Sequence, residues 1–359
     1  MNYERKIGKV REKFEEHNIE AMLITNPTNI FYLSGFSGSA GYVLLTAEKA
    51  YLITDFRYEE QAQKEIPLHI FELVILSTKI IDKIKDLVEN ENIKKLGIET
   101  KYMTVDFYNE LNKNLSHCNL VSVKSIIEEL RIVKNEEEII RIKKAAKIAD
   151  LAFKHIVKFI KPGVKEFEVA AEIEYFMRRK GASKASFDII AASGERAALP
   201  HGTASEKELK KGDLLVMDFG AVYKGYCSDI TRTVVVGKAS EEQCNIYDIV
   251  LEAQKRALQA VAVNMPCSEL DSVARNIIES YGYGDKFGHS LGHGVGIEVH
   301  EPPAVSKNST VNLSPGMVIT IEPGIYIEGW GGVRIEDMVL VTEQGPQVLT
   351  TSTKELLEI

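Results

Sequence analysis

Two acidic residues lie in largely apolar segments, where an ionised side chain is costly. Asp218 interrupts the run Leu214–Val222, and Glu322 follows the stretch Met317–Ile321. No lysine or arginine in these two segments is an obvious partner for either carboxylate. Because a buried charge without a partner is strongly destabilising, both segments predict a shared ligand that offsets the negative charge.

Hairpin geometry would bring two further carboxylates to the same place. A two-residue turn pairs position 218 with position 231, which puts Asp229 on the face of Asp218, because side chains alternate along a strand. A glycine-centred loop likewise places Glu322 opposite Glu336. Each carboxylate alone could be an ordinary solvent-facing strand residue. Four at matched registers repel one another, and two divalent cations would balance them, so the pattern predicts a site for two metal ions.

Glycines accompany both of these acidic positions. Gly220 and Gly324 each lie two residues beyond a carboxylate and on the same strand face. Because glycine has no side chain, we expect both positions to leave space for metal-bound water or substrate.

Four of the eight histidines lie between residues 201 and 300. Three of them fall within twelve residues, among glycines at 288, 292, 294 and 296, which predicts a loop or irregular strand rather than a helical zinc motif. The same glycines lack the Gly-Lys-Ser/Thr context of a phosphate loop. We expect these histidines to line a cavity: His201, His289, His293 and His300.

The C-terminal part of the sequence contains an internal repeat. Leu209–Gly220 aligns with Leu313–Gly324 at an offset of 104 residues, and chance similarity of two short hairpins is the alternative. The repeat predicts two copies of a helix–helix–hairpin unit, related by a pseudo-twofold axis, with helices on one face of an antiparallel sheet. At the same offset the helices would align Pro162 with Pro266, Val169–Ala170 with Val273–Ala274, and Ile173 with Ile277.

The N-terminal part alternates short apolar runs with helical patterns, which predicts an α/β domain. Asn26–Asn29 is interpreted as a turn, and Tyr3–Glu16 as a helix. A charge-rich segment at 131–138 places the domain boundary near 125–135, giving domains 1–128 and 129–359. The predicted strands are Ala21–Thr25, Gly41–Thr46, Ala50–Thr54, Ile70–Leu76, Leu96–Ile98 and Asn119–Ser122.

Composition narrows the class of protein. With 359 residues, 45% of them hydrophobic, the chain is long and apolar enough for two folded domains. A net charge of −8 argues against a general nucleic-acid binder. No apolar run approaches the roughly 18 residues that a membrane span needs, and no signal peptide is recognisable. The four cysteines form no Cys-x-x-Cys pair. We therefore expect a cytoplasmic protein without cysteine-bound zinc or a disulfide framework.

Taken together, these motifs resemble the metallopeptidase family of proline dipeptidase (prolidase), aminopeptidase P and methionine aminopeptidase. The strongest matches are the Asp218…Asp229 hairpin, the His289–Glu301 loop, Glu322-Pro-Gly and Gly332–Glu336. The resemblance implies an α+β, pita-bread C-terminal domain with a pseudo-twofold duplication. Asn26–Gly35 and Thr54–Tyr58 resemble the α/β creatinase-type N-terminal domain, which methionine aminopeptidases lack.

The resemblance also implies the metal chemistry. Asp229 and Glu336 would bridge two divalent ions, most often manganese, with cobalt or zinc as alternatives. A metal-bridging hydroxide would be the nucleophile in cleavage of an Xaa-Pro bond, with one ligand, Glu322, also acting as general base. The implied metal ligands are Asp218, Asp229, His293, Glu322 and Glu336.

Further roles follow from the same resemblance. His201 and His300 would contact the scissile carbonyl, and His289 would steady the substrate. Arg334 would orient the carboxylates. The wall of the proline pocket would include Phe187 and Val299.

Several alternatives remain open from the sequence. Some prolidases carry an arginine where this chain has Ala304, which favours longer peptides over strict dipeptides. A non-catalytic peptide- or protein-binding member of the fold and a creatinase are the rivals, and neither is expected to keep all five ligands. The N-terminal domain implies a homodimer, which light scattering would test.

Overall fold

The structure, a computed structural model, describes residues 2–359. The chain divides into an N-terminal unit that ends at Arg131 and a C-terminal unit, Ile132–Ile359. None of the helices formed by residues 2–359 combines the length and the apolar character that a membrane span requires.

The N-terminal unit is built on a mixed six-stranded sheet in the order β4-β3-β2-β1-β5-β6. Its strands are β1 (Ala21–Ile24), β2 (Tyr42–Thr46), β3 (Ala50–Asp55), β4 (Glu72–Leu76), β5 (Lys95–Glu99) and β6 (Asn119–Val123). Its helices are α1 (Tyr3–Arg11), α2 (Pro27–Ser34), α3 (Glu59–Glu65), α4 (Ile80–Asn90), α5 (Val105–Asn114) and α6 (Ile126–Ile132). All six predicted strands are present, so the α/β prediction is confirmed for this unit.

Two local predictions in this unit are wrong. The segment Asn26–Asn29 begins helix α2 instead of forming a turn, because the Asn26 side chain accepts a hydrogen bond from the Thr28 backbone N–H at 2.9 Å. Pro27 occupies the first helical position, where its missing N–H has no cost. Helix α1 ends at Arg11 rather than at Glu16.

The C-terminal unit repeats one order of elements, two long helices followed by antiparallel strands. The first copy contains α7 (Glu136–Ile156), α8 (Glu166–Arg179), β7 (Lys184–Ala185), β8 (Ile190–Ser193), β9 (Leu214–Phe219), β10 (Ala221–Tyr223), β11 (Tyr226–Cys227) and β12 (Ile230–Val235). The second contains α9 (Glu241–Ala260), α10 (Cys267–Ser280), β13 (Gly292–Gly294), β14 (Glu301–Val305), β15 (Val318–Ile321), β16 (Gly324–Ile327), β17 (Gly331–Arg334), β18 (Asp337–Thr342) and β19 (Gly345–Val348).

Both copies begin and pack in the same way. Helix α7 starts with a capping box between Asn135 and Glu138, and α9 starts with one between Ser240 and Gln243. The buried faces of α7 and α8 pack on strands of the first copy in one apolar core. Those of α9 and α10 form a second core, which includes Leu214, Val216 and Val235 of the first copy. The duplication therefore extends from the first helix cap to the strands.

The predicted alignment of the second helices is wrong by three residues. Helices α8 and α10 both contain 14 residues, and the start of one aligns with that of the other at an offset of 101, not 104. This shift matches the buried positions Val169 and Ile173 with Leu270 and Ala274, whereas Val273 and Ile277 are only half-buried. The linker between the two helices is three residues shorter in the second copy, and the segment before the hairpin is three residues longer.

The hairpin registers agree with the prediction. Thr231 pairs with Asp218 in the β9–β12 hairpin. In the second copy Ile321 pairs with Asp337 and Gly324 pairs with Arg334, a register that sets position 322 against position 336. The edges of the two hairpins meet, because the Glu336 backbone N–H donates to the Thr231 carbonyl at 3.2 Å.

Candidate metal centre

Four carboxylates and one imidazole converge where the two hairpins meet. Asp218 lies in β9 and Asp229 directly precedes β12, while Glu322 and Glu336 lie at the corresponding strand ends of the second copy. His293, in β13, directs Nε2 to within 3.3 Å of Glu322 Oε1 and 3.6 Å of Asp229 Oδ2. Potential ligand atoms of Asp229, His293 and Glu336 all lie within 4.8 Å of one another.

Three of these carboxylates each keep one oxygen free of protein partners. Among residues 2–359, Asp218 Oδ1, Asp229 Oδ1 and Glu336 Oε1 are buried and accept no hydrogen bond. An oxygen that is buried and unpaired costs free energy unless a ligand satisfies it. The donor set therefore fits divalent cations, which carboxylate oxygens and imidazole nitrogen commonly bind.

His293 is oriented as a metal-binding histidine would be. Its Nδ1 lies 3.0 Å from the Gly294 carbonyl oxygen, which can only accept, so Nδ1 carries the proton. The lone pair of Nε2 in the neutral ring then faces the carboxylates. A backbone carbonyl that fixes the tautomer in this way is typical of histidines that bind metal ions.

The pKa values show how poorly the protein groups alone balance this cluster. Burial raises the pKa of Asp218, and burial with repulsion from neighbouring carboxylates raises the pKa values of Asp229 and Glu336 well above their ordinary values. Burial also acts to raise the pKa of Glu322, but a hydrogen bond from His293, which requires Nε2 to be protonated as well as Nδ1, and nearby positive charge outweigh it and lower that pKa to about 2. A metal ion at Nε2 would take the place of that proton. Divalent cations would let all four carboxylates ionise together.

Asp218 has a cationic partner that the local sequence did not reveal. Arg334 Nη2 donates to Asp218 Oδ2 at 2.7 Å, and both side chains are largely buried. The expectation that neither strand segment supplies a cationic partner for Asp218 agrees with this contact, because the partner lies outside both segments, 116 residues away. The expectation that Arg334 would orient carboxylates agrees with this contact.

Arg334 also reaches a second carboxylate through a threonine. Arg334 Nε donates to Thr231 Oγ1 at 3.0 Å, and Thr231 Oγ1 donates to Glu336 Oε2 at 2.7 Å. Thr320 Oγ1 similarly donates to Glu322 Oε1 at 3.0 Å. The two threonines were not predicted, although strand alternation and the 218–231 pairing could have identified them.

Both ring nitrogens of His289 are engaged within the protein. Nδ1 lies 2.8 Å from the Ser290 carbonyl and must donate to it, so Nε2 accepts from the Tyr326 hydroxyl at 2.9 Å. The Tyr326 oxygen in turn accepts from Arg334 Nη1 at 2.9 Å. Burial lowers the pKa of His289, which agrees with a neutral ring. His289 also lines the cavity beside the carboxylates, with both ring nitrogens hydrogen-bonded within the protein. Its expected role in steadying the substrate stays a prediction.

A cavity of about 480 Å³ opens beside the carboxylates. His201 and His300 both line it, and the rings of His300 and His293 lie 4.2 Å apart between centroids. Burial, and then the neighbouring His293, lower the pKa of His300. Phe187 also lines the cavity, and its contact with a proline ring stays a prediction. Val299 does not: the chain bends through 296–300 and directs His300 to the cavity, while Val299 is half-buried beside it.

The glycines near the site allow close approach of other protein groups rather than leaving open space. A Cβ atom at Gly220 would lie 1.8 Å from the Ser228 carbonyl oxygen, and one at Gly324 would lie 2.7 Å from the Tyr326 hydroxyl. The expected space for water or substrate at these positions is therefore filled by protein. Gly292 likewise allows another strand to come close, because a Cβ atom at this position would lie 2.0 Å from the Thr320 carbonyl oxygen.

Family models match both units. Residues 140–343 match metallopeptidase family M24, and residues 6–133 match the creatinase/prolidase N-terminal domain. Among curated proteins, an Xaa-Pro dipeptidase of Pyrococcus horikoshii is 48% identical over 355 residues, which cover 98% of this chain and 98% of that protein.

Solved structures agree with the sequence matches. An Xaa-Pro dipeptidase from Bacillus anthracis superimposes with a TM-score of 0.97 at 47% identity and covers 100% of both chains. An X-Pro aminopeptidase from Thermotoga maritima MSB8 superimposes with a TM-score of 0.91 at 41% identity, covering 97% of this chain and 100% of that one.

Proposed function

Because this chain belongs to metallopeptidase family M24 and has the pita-bread fold with a creatinase-type N-terminal domain, we propose that it hydrolyses the bond between a residue and a following proline. The substrates would be dipeptides or short peptides. One observation carries the proposal: three carboxylates near His293 keep an unpaired buried oxygen, and two of them, Asp218 and Asp229, lie at the wall of a cavity large enough for a short peptide.

Five residues would hold two divalent metal ions through their carboxylate oxygens and one imidazole nitrogen. When bound, the ions would polarise the substrate carbonyl and provide an activated water nucleophile at neutral pH. An oxygen-rich donor set with one imidazole suits Mn²⁺, with Co²⁺ and Zn²⁺ as alternatives. The ligands would be Asp218, Asp229, His293, Glu322 and Glu336.

Other groups of the protein would move protons and hold the substrate. Glu322, held by Thr320, would accept a proton from the attacking water. His300 and His201 line the cavity and would contact the scissile carbonyl, while Phe187 would contact the proline ring. Arg334 would keep Asp218 and, through a threonine, Glu336 in place.

We further propose that the site accepts peptides longer than dipeptides at least as well as dipeptides. Strict dipeptide recognition needs a cation for the free carboxylate of proline. Among the described residues that line the cavity, Arg334 is the only lysine or arginine, and its guanidinium already serves Asp218, Tyr326 and the Pro200 carbonyl. Ala304, which also lines the cavity, provides no charge.

The test is a small peptide panel assayed with each of Mn²⁺, Co²⁺ and Zn²⁺. We expect hydrolysis of Gly-Pro, Ala-Pro and Ala-Pro-Ala, and none of Ala-Ala-Ala. Metal analysis of the purified protein would accompany the assay. Bound metal with no turnover of any proline peptide would contradict the proposal and favour a non-catalytic binding role.

Peptide length is tested separately. Ala-Pro-Ala and the amidated dipeptide Ala-Pro-NH₂ should be cleaved at least as well as Ala-Pro, and Ala304→Arg should improve kcat/KM for Ala-Pro alone. A strong preference of the unaltered protein for Ala-Pro over both neutral-ended substrates would contradict this part of the proposal.

We also propose that the protein is a cytoplasmic homodimer, by analogy with the two-domain members of the family. Light scattering at micromolar concentration should give about twice the mass of 40.1 kDa. A monomeric mass would contradict the dimer without affecting the proposed reaction.

A further inference from the structure

The loop that carries His201 is tied to the first copy by a buried acidic residue. A short 3₁₀ helix, Gly194–Ala198, follows β8, and the chain then passes through Pro200 and His201 to Ser205. The His201 side chain is exposed at the cavity. Its position therefore depends on how the backbone of this loop is held.

Glu166, at the start of α8, binds both ends of this loop. Its Oε1 accepts from the backbone N–H and the hydroxyl of Ser193, each at 2.8 Å. Its Oε2 accepts from the backbone N–H of Ser205 at 3.1 Å and from the Ser205 hydroxyl at 2.6 Å. The Glu166 side chain is fully buried. A buried carboxylate with this many donors is an anchor for the segments that supply them.

Arg196 extends this anchor to the neighbourhood of His201. Its Nε donates to Glu166 Oε2 at 3.0 Å, and its Nη2 donates to the Thr203 carbonyl at 2.6 Å. On the other side of His201, Arg334 donates to the Pro200 carbonyl at 3.1 Å. The backbone is thus held both one residue before and two residues after His201.

The second copy holds its own histidine loop with a different acid–arginine pair. Asp271 of α10 is fully buried, binds Arg275 at 2.8 Å and accepts from the Leu291 backbone N–H at 3.0 Å. Arg275 donates to the carbonyls of Phe287 at 2.8 Å and His289 at 2.9 Å. At the offset of 101 that aligns the two helices, Asp271 does not correspond to Glu166. In the two copies, acid–arginine pairs at non-equivalent positions therefore hold the backbone of the histidine loop.

We propose that Glu166 and Arg196 are positioning residues that set His201 against the scissile carbonyl, and that the metal centre does not depend on them. The inference rests on the proposed function. Its physical basis is that a reacting group displaced by about 1 Å can lose on the order of 100-fold in rate. Glu166 and Arg196 form no contact with the five proposed metal ligands in any hydrogen bond or ion pair observed among residues 2–359.

The first test substitutes Arg196, whose side chain is about one-third exposed, so that the variant is expected to fold. Arg196→Met should lower kcat for Ala-Pro-Ala about 10-fold to 100-fold, with unchanged metal content. The matched control is Arg178→Met on α8: Arg178 also pairs with a glutamate, Glu174, and donates to a backbone carbonyl, that of Ser183, at 3.0 Å. This control should keep the unaltered kcat.

A double-mutant cycle separates positioning from a general structural role. In a His201→Ala background, Arg196→Met should have little further effect on kcat, because the group that it positions is gone. If the double variant instead lost kcat by the product of the two factors measured in the single variants, the proposal would be overturned. Glu166→Gln, which keeps the shape but removes the charge, should behave as Arg196→Met does.

A readout without turnover distinguishes failure of this inference from failure of the proposed function. In protein loaded with diamagnetic Zn²⁺ and labelled with ¹⁵N-histidine, Arg196→Met should shift the His201 ring signals and leave those of His293 unchanged. Arg178→Met should shift neither. An unchanged His201 signal in Arg196→Met would overturn the positioning role even if the unaltered protein cleaved no proline peptide.

Discussion

The two copies of the C-terminal unit share a scaffold but make unlike contributions to the site. Both begin with a capped helix, pack two helices on a sheet and end in a hairpin with acidic residues. The first copy provides Asp218 and Asp229, whereas the second provides Glu322, Glu336 and the imidazole of His293. The duplication therefore explains where acidic groups converge, but it does not explain their chemistry.

The site depends on contacts that cross between the copies. Arg334 of the second copy binds Asp218 of the first, and Thr231 of the first binds Glu336 of the second. Arg232 of the first copy forms a buried ion pair with Asp337 of the second at 2.7 Å. Each copy thus holds a carboxylate of the other, so that neither half of the site is complete alone.

The largest expected effect tests whether the two copies form one site. Asp229→Asn in the first copy and Glu336→Gln in the second should each reduce metal content and lower kcat/KM by about 10³-fold or more, since each removes a proposed metal ligand whose buried oxygen has no protein partner. Metal analysis and peptide assays with saturating Mn²⁺ would measure the two effects.

Asp188→Asn is the matched control, because Asp188 is an exposed carboxylate that lines the same cavity. The Asp188→Asn variant should have the same metal content as the unaltered protein. If Asp229→Asn cleaved Gly-Pro at the rate of the unaltered protein, the ligand assignment would be wrong.

The next effect compares histidines from the two copies. His300→Ala should keep the metal ions and lose about 10²-fold in kcat, because the ring lines the cavity beside His293 and would act on the substrate. The His201→Ala variant should show a loss of the same kind. Unchanged kinetics in His300→Ala, measured at saturating peptide and metal, would remove His300 from the reaction.

A smaller effect concerns the contacts that cross between copies. Arg334→Lys keeps the charge but loses the planar fork that serves Asp218, Tyr326 and Thr231 together, so we expect metal affinity to fall about 10-fold to 100-fold. Thr231→Val, which removes one donor to Glu336, should cost less. Calorimetric titration with Mn²⁺ would rank the two variants, and a larger loss in Thr231→Val would show that Arg334 is not the main support.

The smallest effect concerns stability and its dependence on pH. The folded-state pKa values of Asp229 and Glu336 are raised by burial and mutual repulsion. Both groups therefore stabilise metal-free protein fully only at a pH below the ordinary carboxylate pKa. That stabilisation is lost as the pH rises through their raised folded-state pKa values. Asp229→Asn should accordingly raise the Tm of metal-free protein by a few degrees at pH 7.5, and by less at pH 4.5.

Metal ions should reverse this pH dependence. Because protons compete with cations for the same oxygens, the increase in Tm caused by Mn²⁺ should be larger at pH 7.5 than at pH 5.5 in the unaltered protein. Thermal unfolding with EDTA or with Mn²⁺ would measure both effects. A Mn²⁺ stabilisation that is independent of pH would mean that the raised carboxylates are not the binding groups.

Much of the fold and the acidic part of the site could be predicted from the sequence. Side-chain alternation and turn length are local, so the registers that set Asp218 against position 231 and Glu322 against Glu336 were readable from spacing alone. The alternating pattern of the N-terminal unit and the repeat in the C-terminal unit were also visible. Local information failed at Asn26, where a helix cap and a turn begin with the same residue types.

Only the tertiary structure decided which groups support those carboxylates. The arginine partner of Asp218 lies 116 residues away in the sequence. The Ser228 carbonyl oxygen and the Tyr326 hydroxyl fill the space next to Gly220 and Gly324, and no rule of sequence spacing predicts that packing. The same holds for the three-residue shift between α8 and α10, since helices of equal length can be joined by linkers that differ. The sequence by itself determined that acidic side chains gather on paired strands, because strand geometry has a fixed period. The arginine, threonine and tyrosine hydrogen bonds that orient them depend on how the two copies meet, and that is a property of the folded chain.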